Sequence, residues 1–223
     1  MQLIEYPDRE KLAMELASRI TGDLNAALLR QPRATLVVPG GTTPGPIFDL
    51  LCAAAINWNA VDIMLSDERW VPETSERSNT RLLKRRLFVN RAKEAGHIAL
   101  YAPFDTPEDG LEEITASIQK SLPISVLLLG MGADMHTASL FPEADQLERA
   151  LAPDAPPVLA MRAPGAPEPR ITLSAPVLDA ALAKHIVIFG AEKRAAIEQA
   201  QHLSASEAPV RAVLNGAQVH WAA

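Results

Sequence analysis

The sequence is short of cysteine, aromatics, positive charge and long apolar runs. A single cysteine, Cys52, excludes an internal disulfide and fits a reducing compartment. Ten aromatic residues (three Trp, two Tyr, five Phe) are too few for a base-stacking platform. Lys and Arg number 21 against 27 Asp and Glu, a net charge of −6, which argues against nonspecific nucleic-acid binding. No apolar run approaches the roughly 20 residues that span a bilayer. The opening residues, MQLIEYPDREKL, lack the charged and then apolar pattern of a signal peptide. These absences predict a cytoplasmic globular chain with neither a membrane nor a nucleic-acid partner; a monomer or small homo-oligomer is expected. An anionic ligand would need a local positive site within that mildly negative field.

What is present fits one substantial domain over residues 1–223, with 48% hydrophobic and 22% charged residues. Leu12, Leu16, Ile20, Leu24 and Leu28 recur every four residues, which predicts a helix capped by Asp8. Thr35–Val38 is a short apolar run ending at Pro39-Gly40-Gly41, the pattern of a buried parallel strand. Thr43-Pro44 opens the next helix, with Ile47, Leu50, Leu51 and Ala54 on its face. The alternation continues. Strands are expected at Val61–Leu65, Ile98–Tyr101, Ile124–Leu129 and His185–Phe189. Helices are expected at Asn79–Phe88, Leu111–Leu122, from near Thr137, and at Glu192–Gln201. Between Pro153 and Pro176 lie seven prolines, yet Val158–Met161 and Arg170–Ser174 read as strands rather than linker. Strand and helix in turn predict an α/β fold: an open, mostly parallel Rossmann-like sheet with helices on both faces.

In such sheets ligands bind beyond the carboxyl ends of the strands. Three loops there carry functional residue types. PGGTTP places Gly40, Gly41, Thr42 and Thr43 where backbone N–H groups and hydroxyls can meet an oxyanion, although a tight turn explains the glycines equally well. It is neither a GxGxxG nor a GxxxxGK[ST] motif, so no nucleotide follows. SDERWVP supplies Asp67 and Glu68 for sugar hydroxyls and Arg69 for a phosphate or a neighbouring carboxylate. LGMGADMHTASLFP brings His136 near a helix start, with Asp134 two residues before it to orient the ring as a proton acceptor. A lone His without paired ligand spacing is a poor zinc site. Arg170 in RITLS and Lys193 in FGAEK stand at element boundaries, where either can face an anion.

PGGTTP, SDERWVP followed by SERSN, GMGADMHTASLFP, RITLS and FGAEK, in this order, resemble the 6-phosphogluconolactonase family over nearly the whole chain. The resemblance implies the sugar-phosphate isomerase fold shared with glucosamine-6-phosphate deaminases. It also implies hydrolysis of 6-phospho-D-glucono-1,5-lactone to 6-phosphogluconate in the pentose phosphate pathway, without metal or organic cofactor. His136 matches the family's GxDGH block and would be the general base. The phosphate would lie against PGGTTP with Arg69, Arg170 and Lys193 as cationic partners. The chain departs from the family at Met135, where Gly is usual; a left-handed backbone there would cost Met about 1 kcal/mol or more, and ordinary φ would cost nothing. Deaminases of this fold continue from the His block toward an FNEP-like stretch, whereas ASLFP follows here. A sugar-phosphate sensor would add a helix-turn-helix, and only one helix precedes residue 39.

Overall fold

The computed structural model describes residues 1–223. In chain order the elements are β1 (Gln2–Glu5), α1 (Arg9–Leu28), β2 (Ala34–Val38), α2 (Gly45–Leu51), β3 (Val61–Leu65), β4 (Asp67–Arg69), α3 (Asn79–Arg86) and β5 (Gly96–Ile98). They continue with α4 (Pro107–Ile118), β6 (Val126–Gly130), α5 (Leu147–Leu151), β7 (Val158–Met161), β8 (Arg170–Leu173), α6 (Ala175–Asp179), β9 (Ala183–Phe189), α7 (Gly190–Ala200) and β10 (Gln218–Ala222). Asp8 caps α1 by accepting from the Lys11 N–H at 2.7 Å, and Leu12, Leu16, Ile20 and Leu24 turn fully inward.

Seven strands form one parallel sheet in the order β1-β10-β9-β6-β2-β3-β5. All five residues of β2 are buried, as a strand covered on both faces requires. From β2 the chain steps outward through α2 to β3 and through α3 to β5. It then crosses back through α4 to β6, and later steps the other way through α7 from β9 to β10. Right-handed crossovers in opposite directions put α2 and α3 on one face and α4 and α7 on the other. Helix α1 packs against α2, on the first face. A second sheet, β4-β8-β7, is antiparallel.

Several expectations are corrected. No helix begins near Thr137, because Met135 (φ 64°) and Ala138 (φ 49°) are left-handed and Thr137 bridges to Leu140; the helix forms later, as α5. The weak strand expected at Ile98–Tyr101 lies at Gly96–Ile98, paired to β3. SDERWVP is not a plain loop, since its Asp67–Arg69 pairs with β8. Strands β1 and β10 had no counterpart in the pattern.

The edge around β10 also holds a buried chain of polar groups. The Tyr6 hydroxyl lies 2.9 Å from His220 Nδ1, His220 Nε2 lies 3.1 Å from His185 Nδ1, and His185 Nε2 lies 2.8 Å from Asp23. One proton order satisfies it: Tyr6 donates to His220, His220 to His185, and His185 to the Asp23 carboxylate. Burial, and then the neighbouring His185 and Arg19, push His220 down to about 3. The unfolded chain takes up this proton near pH 6.5 and the folded chain does not until about pH 3, so stability falls as pH drops through that window. Denaturant melts at pH 7 and pH 5 are expected to differ by about 2 kcal/mol from this group, and His220→Gln should flatten the difference.

Candidate active site

The direction of winding reverses between β2 and β6, which are neighbours in the sheet, so their carboxyl ends at Val38 and Gly130 open a crevice. A cleft of about 350 Å³ occupies it. Eight of the eleven expected site residues line this cleft: Gly40, Gly41, Thr43, Asp67, Arg69, His136, Arg170 and Lys193.

The loop after β2 turns at Gly41 (φ +78°). A Cβ on Gly40 would sit 2.1 Å from Asn79 Cγ, so glycine is what lets Asn79 close against the loop. The N–H groups of Gly40, Gly41, Thr42 and Thr43 make no backbone hydrogen bond. The Thr42 side chain is exposed and off the cleft wall, which corrects its expected place; only its N–H belongs to the unpaired row.

Because β4 is a strand, its side chains alternate. Asp67 and Arg69 face the cleft, and Glu68 faces the other way. Glu68 is corrected as a sugar ligand: it is 0% exposed, and its carboxylate accepts from the N–H groups of Arg69 (2.7 Å), Asn79 (2.8 Å) and Thr80 (2.7 Å) and from the Ser78 hydroxyl (3.2 Å). It therefore pins the start of α3 beneath the site. Asp67 accepts from the Ser66 hydroxyl at 2.9 Å and the Ser139 hydroxyl at 2.7 Å.

The β4–β8 register puts Arg69 directly opposite Arg170. Like charges in that position repel unless an anion lies between them. Both Nε atoms are buried without a partner. Arg69 Nη1 donates to the Arg77 carbonyl at 2.5 Å, while the nearest contact of Arg170 with a carboxylate is 4.0 Å, to Asp67. Burial pulls the Arg170 pKa down; Asp67 opposes this, and Arg69 adds to it. Lys193 joins from the first turn of α7. Three cationic side chains thus share the cleft with one carboxylate.

The loop after β6 aims His136. Its Nδ1 lies 2.5 Å from Asp134 Oδ1, which also accepts the His136 N–H at 3.2 Å. The Asp134 side chain is half exposed behind the ring and does not itself line the cleft. A Cβ on Gly132 would fall 2.2 Å from His136 Nδ1, so glycine is required for the ring to fold back. The Phe141 ring packs against it, tilted by 38°, at 4.4 Å between centroids. Met135 takes the left-handed backbone that glycine favours, held by the Val210 N–H donating to its carbonyl at 3.0 Å. Met135→Gly relieves about 1 kcal/mol of strain but loosens the unfolded chain by a similar amount. Turnover is therefore expected within about threefold of the parent, measured as kcat.

Asn79, Phe141 and Ser139 escaped the sequence reading. Phe141 had a visible signal, an aromatic five residues after the histidine; Ser139 had none, since it matches no nucleophile motif. Nowhere do three or more His, Cys, Asp or Glu side chains gather as a metal site.

The family model for glucosamine-6-phosphate isomerases/6-phosphogluconolactonase matches residues 7–221. A 6-phosphogluconolactonase of Mesorhizobium japonicum is 41% identical, covering 97% of this chain and 93% of the relative. One from Pseudomonas aeruginosa is 38% identical over 94% of this chain and 90% of its own. The crystal structure of a 6-phosphogluconolactonase from Shewanella baltica superposes with a TM-score of 0.96 at 35% identity, covering 100% of this chain and 98% of that one. The chain therefore belongs to the glucosamine-6-phosphate isomerase/6-phosphogluconolactonase family.

Proposed function

We propose that this cleft hydrolyses 6-phospho-D-glucono-1,5-lactone to 6-phosphogluconate, the activity for which the related proteins are named. The observation that carries the proposal is one opening shared by an oriented histidine and three basic side chains. A carboxylate only accepts, so the Asp134 contact keeps the proton on His136 Nδ1 and leaves Nε2 free to accept from water. The water oxygen attacks the lactone carbonyl carbon as its proton passes to Nε2. The tetrahedral oxyanion then collapses, the bond from that carbon to the ring oxygen breaks, and the departing oxygen takes the proton back from His136. The Gly132 N–H already donates to the His136 carbonyl at 3.0 Å, so it is not free to meet the oxyanion. The phosphate, remote from the reacting carbon, is held by Arg69, Arg170, Lys193 and the unpaired N–H groups of Gly40–Thr43, and this fixes the ring for attack.

The same reading takes residues 1–223 as one cytoplasmic domain. A single connected core of 58 buried residues that includes side chains of both sheets supports the first part. The lone cysteine supports the second, and no helix is long and apolar enough to cross a membrane. The test is hydrolysis of freshly made lactone, coupled to 6-phosphogluconate dehydrogenase and corrected for spontaneous opening, with glucosamine 6-phosphate in parallel. Lactone turnover without ammonia release supports the proposal. Ammonia from glucosamine 6-phosphate with no lactone turnover refutes it.

A further inference from the structure

A buried arginine beside a buried aspartate normally closes into a bidentate pair with N···O near 2.8 Å. Arg170 and Asp67 do not. Their side chains are 10% and 9% exposed, yet the nearest approach is 4.0 Å, and Arg170 Nε has no partner at all. The reason lies in the other partners of the carboxylate. Ser66 donates to Oδ1 at 2.9 Å and Ser139 to Oδ2 at 2.7 Å, so each oxygen is already held by a hydroxyl. Ser139 is itself 0% exposed and fixed through its N–H to the Thr172 hydroxyl at 3.3 Å. It stands three residues after His136, where the left-handed Ala138 turns the chain inward.

We infer that Ser139 is a positioning residue for the anion site: its hydroxyl holds the Asp67 carboxylate off Arg170, so that the arginine is charge-balanced yet keeps its N–H groups for the ligand's phosphate. The inference rests on the reading above that the cleft takes a phosphorylated ligand. Asp67 at 4.0 Å still offsets the burial of a cation, but it does not occupy the donors. Without the Ser139 hydroxyl, Oδ2 loses the hydrogen bond that anchors it, and the nearest unsatisfied donors are those of Arg170. A shift of about 1 Å closes the ion pair and removes a phosphate-binding group without altering any residue that touches the ligand.

The experiment measures inorganic phosphate binding by calorimetry, and lactone kinetics, for the parent protein, Ser139→Ala and Ser139→Cys, each with a melting curve. Ser139→Ala is expected to weaken phosphate binding and raise KM by about tenfold or more, with kcat within about threefold. Ser139→Cys, near in volume and a weak donor, falls between. On an Asp67→Asn background, where no carboxylate can capture Arg170, Ser139→Ala should change phosphate affinity by less than about threefold. If Ser139→Ala fails to fold, Ser139→Cys carries the same comparison. Unchanged phosphate affinity in the folded variants, or a fall in kcat alone as a disturbed His136 loop would give, overturns the inference. A parent protein that binds phosphate in this Ser139-dependent way without opening the lactone leaves the inference standing and refutes the proposed reaction.

Discussion

Replacing His136 by Ala is expected to lower kcat for lactone opening by about 10²–10⁴-fold while KM moves by less than about threefold. The split follows from where the ring sits. His136 is held from behind by Asp134 and flanked by Phe141, so its contribution in the proposed reaction is the proton it accepts from water rather than grip on the sugar. The proposed phosphate contacts come from other elements and survive the substitution. Asp134→Asn should cost less, about tenfold, because the amide still contacts the ring but no longer dictates which nitrogen carries the proton. A His136→Ala protein that keeps full turnover above the spontaneous rate places the base elsewhere.

The largest effect on stability is expected at Glu68. Glu68→Ala strands the N–H groups of Arg69, Asn79 and Thr80, the last two buried and the first partly so, and removes negative charge from the start of α3. At about 1–3 kcal/mol for each unsatisfied donor, the loss is at least about 3 kcal/mol, or a melting temperature lower by about 10 °C. Glu68→Gln restores only part, since its NH₂ group would face either the Thr80 N–H and Ser78 hydroxyl or the Arg69 and Asn79 N–H groups. Calorimetric melts of the three proteins test this. A change in KM with no change in melting temperature would instead return Glu68 to the substrate.

The contrast between Glu68 and its neighbours shows where the sequence was legible and where it was not. Buried parallel strands announce themselves by apolar runs, so β2, β3, β6 and β9 were found, and with them the α/β class and the loops beyond their carboxyl ends. Strand β4 is three polar residues long and carries no such run; its pairing with β8 is a tertiary fact. Had it been read as a strand, alternation alone would have put Asp67 and Arg69 on one side and Glu68 on the other. Strands β1 and β10 are short terminal segments, and β10 contains a His whose partners are 35 and 214 residues away. The helix expected near Thr137 failed because left-handed residues at 135 and 138 carry L side chains, which sequence pattern does not betray. Thr42 was placed one layer too close to the ligand, since spacing gives proximity along the chain but not the direction of a side chain.

In the proposed reaction the basic cleft reads a phosphate while His136 opens a lactone. This is tested most directly by comparing kcat/KM for 6-phospho-D-glucono-1,5-lactone with that for unphosphorylated glucono-1,5-lactone, each prepared fresh and corrected for spontaneous opening. Two or more charge-assisted contacts predict a preference for the phosphorylated lactone of at least about 10²–10⁴-fold. Equal rates with the two lactones, or no rate above background with either, would contradict the account.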